Sequence, residues 1–243
     1  MIRIAILRAG RRDAFPPVEQ ALADPNGLLA AGGDLSPQRL LDAYAQGIFP
    51  WFSDGEPILW WSPDPRMLFD TSAMHLPRRL RRWLRDCDWQ IHADRDFAAV
   101  MRACAAPRAG HSGTWITDAM LDAYQQMHRL GHAHSVEVYA DETLVGGIYG
   151  VAIGQMFFGE SMFSRASNGS KVALLALARL LRRRGWPLID AQVSSDHLTT
   201  LGAFELPRTE FGRRIRELGQ RPGRIGSWEA DCSGWRGADL LQE

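Results

Sequence analysis

Apolar residues recur at helical spacing in several stretches of this chain. After Asp34-Leu35-Ser36-Pro37, the residues Leu40, Leu41, Tyr44 and Ala45 form a stripe three and four positions apart. Ser36 suits an N-cap, Pro37 suits the first helical position and Gly47 ends the run, so a helix is predicted there. Similar spacing predicts helices over 77–86, 95–105 and 117–130, the last opened by Thr117 and closed by Gly131. The period then shortens. Ser135 to Tyr139 alternates as a strand, Asp141-Glu142 turns the chain, and Thr143 to Ile153 and Gln155 to Phe158 continue an antiparallel meander. An amphipathic helix follows from Gly169 or Ser170 to near Arg184. A strand from Pro187 to Val193 and helices over 195–203 and 208–219 complete the pattern. Upstream, Ile48-Phe49-Pro50-Trp51-Phe52 is too aromatic for a solvent loop, and Trp60 to Arg66 reads as a rigid connector.

These elements predict an α+β protein in two parts. Residues 1–62 form a small Trp/Pro/Gly-rich N-terminal domain, packed on a larger mixed-sheet domain of residues 63–243. Meander, helix, strand, helix is the order of an acyl-CoA N-acyltransferase-like (GNAT-like) core, an analogy that gives no function by itself. The 243 residues are 46% hydrophobic with nine Trp, ample for a packed core and unlike a disordered chain. No apolar run approaches the roughly 18–20 residues of a membrane span, and the N-terminal apolar stretch is too short for a secretory signal. Three cysteines without C-x-x-C spacing argue against disulfides and a zinc ribbon and fit a cytoplasmic location.

Charge adds a local feature. The 28 acidic and 28 basic residues cancel, and Lys171 is the only lysine, a bias that GC-rich coding explains without function. Residues 78–85 nevertheless hold Arg78, Arg79, Arg81, Arg82 and Arg85. On a helix, Arg78, Arg82 and Arg85 fall at i, i+4 and i+7, flanked by Arg79 and Arg81 and interrupted by Asp86. Such a run is more often a solvated face than a phosphate-binding surface. Arg182-Arg183-Arg184 at a helix end is a weaker candidate for such a surface, easily explained as a complement to the helix dipole. His128, His132 and His134 have no acidic or cysteine ligand patterned with them, so structural roles are expected and no metal.

The chemistry concentrates in two segments, Gly159-Glu160-Ser161-Met162-Phe163-Ser164-Arg165 and Leu188-Ile189-Asp190-Ala191-Gln192-Val193. Glu160 follows the apolar run, where a strand is expected to end. Asp190 and Gln192 stand two apart in a short apolar strand, so both face one way. An unpaired buried polar group costs about 1–3 kcal/mol, so the three must be satisfied, and polar groups converging on an apolar core mark a site.

Together with Asp24 to Ala30, Gly32 to Ser36, Gly47 to Phe52, Trp60 to Arg66, Gly113 to Thr117 and Gly131 to Ser135, these segments closely resemble the bacterial leucyl/phenylalanyl-tRNA–protein transferases. The resemblance runs from about residue 14 to about 208. It implies transfer of Leu or Phe, and less well Met, from the 3′ ester of Leu-tRNA or Phe-tRNA to the α-amino group of proteins with N-terminal Arg or Lys. The product enters the N-degron pathway of protein degradation. A monomer without cofactor is expected: the ester is already activated, and an α-amino group of pKa about 7.7–8.0 is partly neutral at cellular pH. By position, Asp190 and Gln192 match the pair beside the attacking amine, where Asp190 either polarises the Gln192 amide or holds the amine directly. Glu160 would orient the aminoacyl amine or the basic acceptor side chain, and base and positioning roles both stay open. A buried network that only locks two strands together is the alternative. Trp51, Trp115, Tyr124, Ile148, Phe157 and Met162 match the aminoacyl pocket, although each alone is ordinary core. The family also places basic residues on the helix of Arg78, Arg79, Arg81, Arg82 and Arg85, which favours tRNA contact there.

Two rival functions fit part of the pattern. A CoA-dependent N-acetyltransferase would share the element order. Its pyrophosphate loop, however, is matched only by Arg165-Ala166-Ser167-Asn168-Gly169-Ser170, one residue too long and without a second glycine. Gln220 to Gly226 looks nearer but lies far downstream. A non-enzymatic RNA-binding protein would explain the arginines but not Glu160, Asp190 and Gln192.

Overall fold

The computed structural model describes residues 4–107 and 115–242; Gly113 and Thr114 lie outside the described residues. In chain order the elements are β1 Ala5–Leu7, β2 Leu28–Gly32, α1 Pro37–Tyr44, β3 Phe49–Pro50, β4 Leu59–Trp61, β5 Arg66–Asp70, α2 Arg78–Leu84, β6 Gln90–Ala93, α3 Phe97–Ala105 and α4 Asp118–Arg129. There follow β7 Ala133–Ala140, β8 Thr143–Ile153, β9 Met156–Ser164, α5 Gly169–Arg183, β10 Leu188–Gln192, α6 Asp196–Thr199, β11 Phe204–Leu206 and α7 Arg208–Gly219. The fold is α+β with two mixed sheets. One has the order β1-β2-β4-β3, the other β11-β5-β10-β9-β8-β7-β6.

Local chemistry explains the helix starts. Thr117 Oγ1 accepts the Met120 N–H at 3.3 Å and Asp96 Oδ1 accepts the Ala99 N–H at 2.8 Å, each satisfying an orphan donor of a first turn. Ser36 departs from expectation: its hydroxyl donates to Asp34 Oδ1 rather than capping α1. Gly169 opens α5 against Gly146 of β8, where an added Cβ at either residue would stand within 2.4 Å of backbone. Only glycine permits that approach, which seats the start of α5 on the sheet.

Two apolar layers cover the seven-stranded sheet. Met156 and Phe158 of β9 and Leu188 of β10 join a cluster with α1, α3, α4, α7 and the four-stranded sheet. Phe157 and Ile189, pointing the other way, join a cluster with α2 and α5. Among the described residues, the large sheet departs from antiparallel order at one pair of strands. β9 and β10 run parallel from Leu188↔Met156 to Asp190↔Phe158, after which β9 continues to Ser164 while β10 ends at Gln192. The sheet splays open there.

Several sequence expectations change. Residues 60–66 are not simply a connector: Trp60 and Trp61 finish β4, and Arg66 begins β5, which pairs antiparallel with β10. β9 does not stop at Phe158, so Glu160 sits inside a strand rather than at its end. The expected helix over 195–203 is the four-residue α6, because Gly202 (φ +97°) turns the chain into the edge strand β11. β6 was hidden by its polar residues Gln90 and His92.

Candidate active site

Each strand bordering the splay carries one extra residue. In β9, Tyr149 pairs with Ser161 and Gly150 with Gly159, so Glu160 is the unpaired residue of a bulge. In β10, Asp190 pairs with Leu68 and Gln192 with Met67, leaving Ala191 extra. Bulges re-aim side chains next to functional sites. Gln192 (φ +63°) completes the second bulge in the left-handed region, which is strained for a residue with a Cβ. The bulge, and not regular alternation, sets how Asp190 and Gln192 are turned relative to each other.

Asp190 is wholly buried and is gripped from three directions. Arg66 Nε and Nη2 donate to its two oxygens at 2.8 and 2.6 Å, and the Gln192 N–H donates to Oδ1 at 2.9 Å. The Arg66 guanidinium, also at 0% exposure, lies between the rings of Phe49 and Phe211 at 4.8 and 4.7 Å. These contacts tie the Asp190 carboxylate to β5 and to the end of β10.

Glu160 is the opposite case. Gln192 Nε2 and the Tyr44 hydroxyl donate to Oε1 at 2.6 and 2.7 Å, and the Tyr124 hydroxyl donates to Oε2 at 3.2 Å. The two tyrosine hydroxyls also contact each other. Three oxygen–oxygen contacts thus join Tyr44, Tyr124 and Glu160, and each needs one hydrogen. The tyrosines supply two; the third is present only when Glu160 is protonated. Burial pushes the Glu160 carboxyl up to about 7, and the Asp190 charge adds to this against the pull of the three donors. Burial, followed by the Glu160 charge, holds Tyr44 and Tyr124 well above the usual tyrosine range, so both stay hydroxyl donors. The cluster can bind or release one proton near neutrality.

Glu160 lines three cavities. A small apolar one, about 100 Å³, is bounded by Ile148, Met162, Leu174, Ile189 and Leu198 on the α5 side of the sheet. An aromatic one, about 290 Å³, lies between Phe49, Trp51 and Trp115 and Gln192 to Ser195. Phe49 and Trp115 belong with the opposite apolar layer. A polar one, about 720 Å³, includes Trp115, Ser161, Ser164, Arg165, Ser170 and His197. Glu160 thus borders cavities associated with both apolar layers of the sheet.

The expected pocket residues divide among these features. Ile148 and Met162 line the apolar cavity, and Trp51 (43% exposed) and Trp115 the aromatic one. Phe157 lines none of the three and packs near Trp228, while Tyr124 serves the Glu160 cluster. Arg78, Arg79, Arg81, Arg82 and Arg85 are all exposed, and among the described residues none is paired with a carboxylate. His128 contacts the Ala133 carbonyl at 2.8 Å and stacks on Phe97, and His134 pairs with Asp94 and stacks on Trp228. Tyr44 and Arg66 are the residues that sequence reasoning missed. Each gave a signal: a hydroxyl on an apolar stripe, and a cation opening the apolar run Met67 to Phe69.

Among the described residues no helix is long and apolar enough to cross a membrane. Two family profiles match the chain. The leucyl/phenylalanyl-tRNA protein transferase profile covers residues 68–216, and that of the family's N-terminal domain covers 33–64. Proteins named leucyl/phenylalanyl-tRNA–protein transferase are similar over nearly the whole length. That of Xanthomonas campestris pv. campestris is 60% identical over 232 residues, 93% of each chain. That of Xanthomonas axonopodis pv. citri is 60% identical over 98% of this chain and 96% of its own. Among solved structures, L-PGS from Bacillus licheniformis gives a TM-score of 0.39 at 12% identity, over 70% of this chain and 57% of that one, too loose a likeness to bear on the fold. With most of both sequences shared at this identity, the chain belongs to the leucyl/phenylalanyl-tRNA–protein transferase family.

Proposed function

We propose that the protein moves Leu or Phe from the 3′ end of an aminoacyl-tRNA to the α-amino group of proteins with N-terminal Arg or Lys, acting as a cytoplasmic monomer. The observation that carries this reading is the Glu160 cluster, a neutral-range proton acceptor at the junction of three cavities. The apolar cavity suits a Leu or Phe side chain. The flat faces of Trp51 and Trp115 suit stacking on the terminal adenine, since every base has a π-face. The polar cavity suits the acceptor peptide. Arg78, Arg79, Arg81, Arg82 and Arg85 suit tRNA phosphates, and α2 lies on the same face of the sheet as the apolar cavity.

In this reading the acceptor enters as an ammonium beside ionised Glu160. The carboxylate takes one proton and so completes the hydrogen count of the Tyr44–Tyr124–Glu160 triangle. The freed amine attacks the ester carbonyl, an N–C bond forms and the C–O3′ bond breaks. The departing ribose oxygen takes a proton from the attacking nitrogen, and Glu160 returns its own to solvent. Gln192 holds Glu160, and Arg66 and Asp190 hold Gln192. Alignment and one managed proton suffice for an activated ester. The division at residues 62 and 63 belongs to the same proposal, supported by profile matches that end at 64 and resume at 68. So does a GNAT-like core, supported by the parallel β9–β10 pair that splays beside α5.

The test is transfer of radiolabelled leucine from Leu-tRNA to a protein beginning with Arg, beside an otherwise identical protein beginning with Ala. Label on the Arg protein alone is expected. Label on neither, from folded protein that binds the tRNA, would sink the assignment.

A further inference from the structure

The C-terminal segment is built between two groups of arginines that the transfer chemistry does not use. On one side, just past α2, the Gly237 N–H donates to the Trp89 carbonyl and the Ala238 N–H to that of Cys87, both at 2.9 Å. Gly237 stands so close that an added Cβ would lie 2.3 Å from Cys87 Sγ. On the other side, Arg179 and Arg183 of α5 lie over the Trp235 ring at 5.4 and 4.7 Å. Arg179 also donates to the carbonyls of Asp239 and Gln242. Residues 235–242 therefore join the end of α2 to the end of α5.

This junction aligns cations. The five exposed arginines of α2 and its C-cap stand on one side, Arg182 and Arg183 on the other, and exposed Arg236 lies between them with its guanidinium on the Asp88 carbonyl. Among the described residues neither Arg182 nor Arg183 is paired with a carboxylate, whereas Arg184 beside them holds Asp231 at 2.7 Å. The grouping works against itself in the free protein. Arg179 is held below its ordinary pKa first by burial and then by the charges of Arg183 and Arg182, with Asp239 only partly offsetting them. Asp86, Asp88 and Asp239 are the acids along the same stretch, fewer than the eight exposed arginines of α2, its C-cap, the end of α5 and position 236. Like charges gathered with so few carboxylates fit a polyanion.

We propose that the RNA surface extends from α2 across residues 235–238 to the last turn of α5, where Arg182 and Arg183 contact phosphates of the double-stranded acceptor stem. The inference rests on the reading of the chain as a tRNA-dependent transferase with α2 as its RNA-binding helix. Distance supports it. α5 begins beside the polar cavity at Ser170, and Arg183 lies thirteen residues further along, about 20 Å at 1.5 Å per residue. A nucleotide chain whose 3′ end sits in the cleft meets this surface with its stem and not with its terminal adenosine. Both helices pack on the face of the sheet that carries the apolar cavity, so one RNA can cover all three.

The test compares two donors, Leu-tRNA and 3′-leucyl-adenosine, which has no stem. The variants are Arg182→Glu/Arg183→Glu and Arg182→Glu alone, which disturbs no Trp235 contact. The expected result for the double variant is a KM for Leu-tRNA raised about tenfold or more, with kcat unchanged. Transfer from leucyl-adenosine stays as in the wild type. Direct tRNA binding, titrated with salt, should lose about 2 from its log–log slope in the double variant and about 1 in the single one, close to 0.9 per phosphate contact. An unchanged slope and KM would overturn the proposal, as would equal losses with both donors, because a stem contact cannot affect a donor that lacks a stem. Wild-type protein that binds tRNA with the expected slope dependence but transfers from neither donor would sink the transferase reading and leave the surface standing.

Discussion

Arg66 and Asp190 offer the most direct check on how the site is held. Both side chains are at 0% exposure, and their only charged partner described is each other. Arg66→Met would leave a buried carboxylate with no counter-charge, and Asp190→Leu a buried guanidinium in the same condition. Removing one member of a buried pair costs about 3–5 kcal/mol, because the survivor stays desolvated. For a chain of this size that is a fall in Tm of about 6–20 °C. The double variant Arg66→Met/Asp190→Leu behaves differently. Both charges are gone, and the main loss is the acceptor for the Gln192 N–H, about 1–3 kcal/mol for one unsatisfied donor. Urea unfolding followed by Trp fluorescence should therefore show the double variant more stable than either single one, with a coupling of at least about 3 kcal/mol. All three should lose transfer, since Gln192 no longer stands in register with Glu160. A double variant as unstable as the two single losses summed would refute the reasoning, since the pair would then not be interacting.

The remaining predictions concern protons and shape. Glu160 is raised to about 7, and its ionised form is the acceptor, so kcat/KM should rise with pH through about 7. Glu160→Gln should lower the rate about 10²–10⁴-fold and turn the profile into a single rise through the pKa of the acceptor amine, which must then arrive neutral; a wild-type-like profile in the variant would count against the proton role. Glu137 is fully buried and pushed by burial from 4.5 to about 7. Its folded value is the higher one, so its contribution to stability is complete below about pH 4.5 and lost as pH rises through 7. Wild-type stability from this group should fall by on the order of 3 kcal/mol between pH 5 and 8, and urea midpoints of Glu137→Gln should lack that share of the slope. Ile148→Ala enlarges the apolar cavity. Competition between charged tRNAs should show the Phe-to-Leu ratio of kcat/KM rising about tenfold, within the roughly 1–3 kcal/mol that apolar fit controls; an unchanged ratio would mean the donor side chain lies elsewhere.

Much of the site was readable in advance, and the exceptions share a cause. Thr117, Gly131 and the meander announced themselves through local rules of capping and alternation. Glu160, Asp190 and Gln192 stood out as polar residues in apolar strands. What was not readable depends on partners far along the chain. Glu160 looked like a strand end because the bulge that keeps it inside β9 is set by Tyr149 and Gly150 on the next strand. Arg66 looked like part of a connector because its partner lies 124 residues away. Tyr44 looked like one more core residue because only its hydroxyl, not its ring, belongs to the site. The pairing of Asp190 with Arg66 is likewise a tertiary fact that no local pattern shows.

The origin of the Glu160 cluster has a kinetic consequence. Its hydrogen-bond partners come from α1, α4 and β10, and the arginine that steadies β10 is held between Phe49 and Phe211. No local segment can assemble this arrangement, and contacts of such long sequence separation form slowly because loop closure must come first. On the proposed mechanism, transfer therefore waits until Phe211 of α7 has docked with Phe49 on either side of Arg66. Catalytic competence is in this sense a late reporter of complete folding, and partly folded molecules are spared from modifying other proteins.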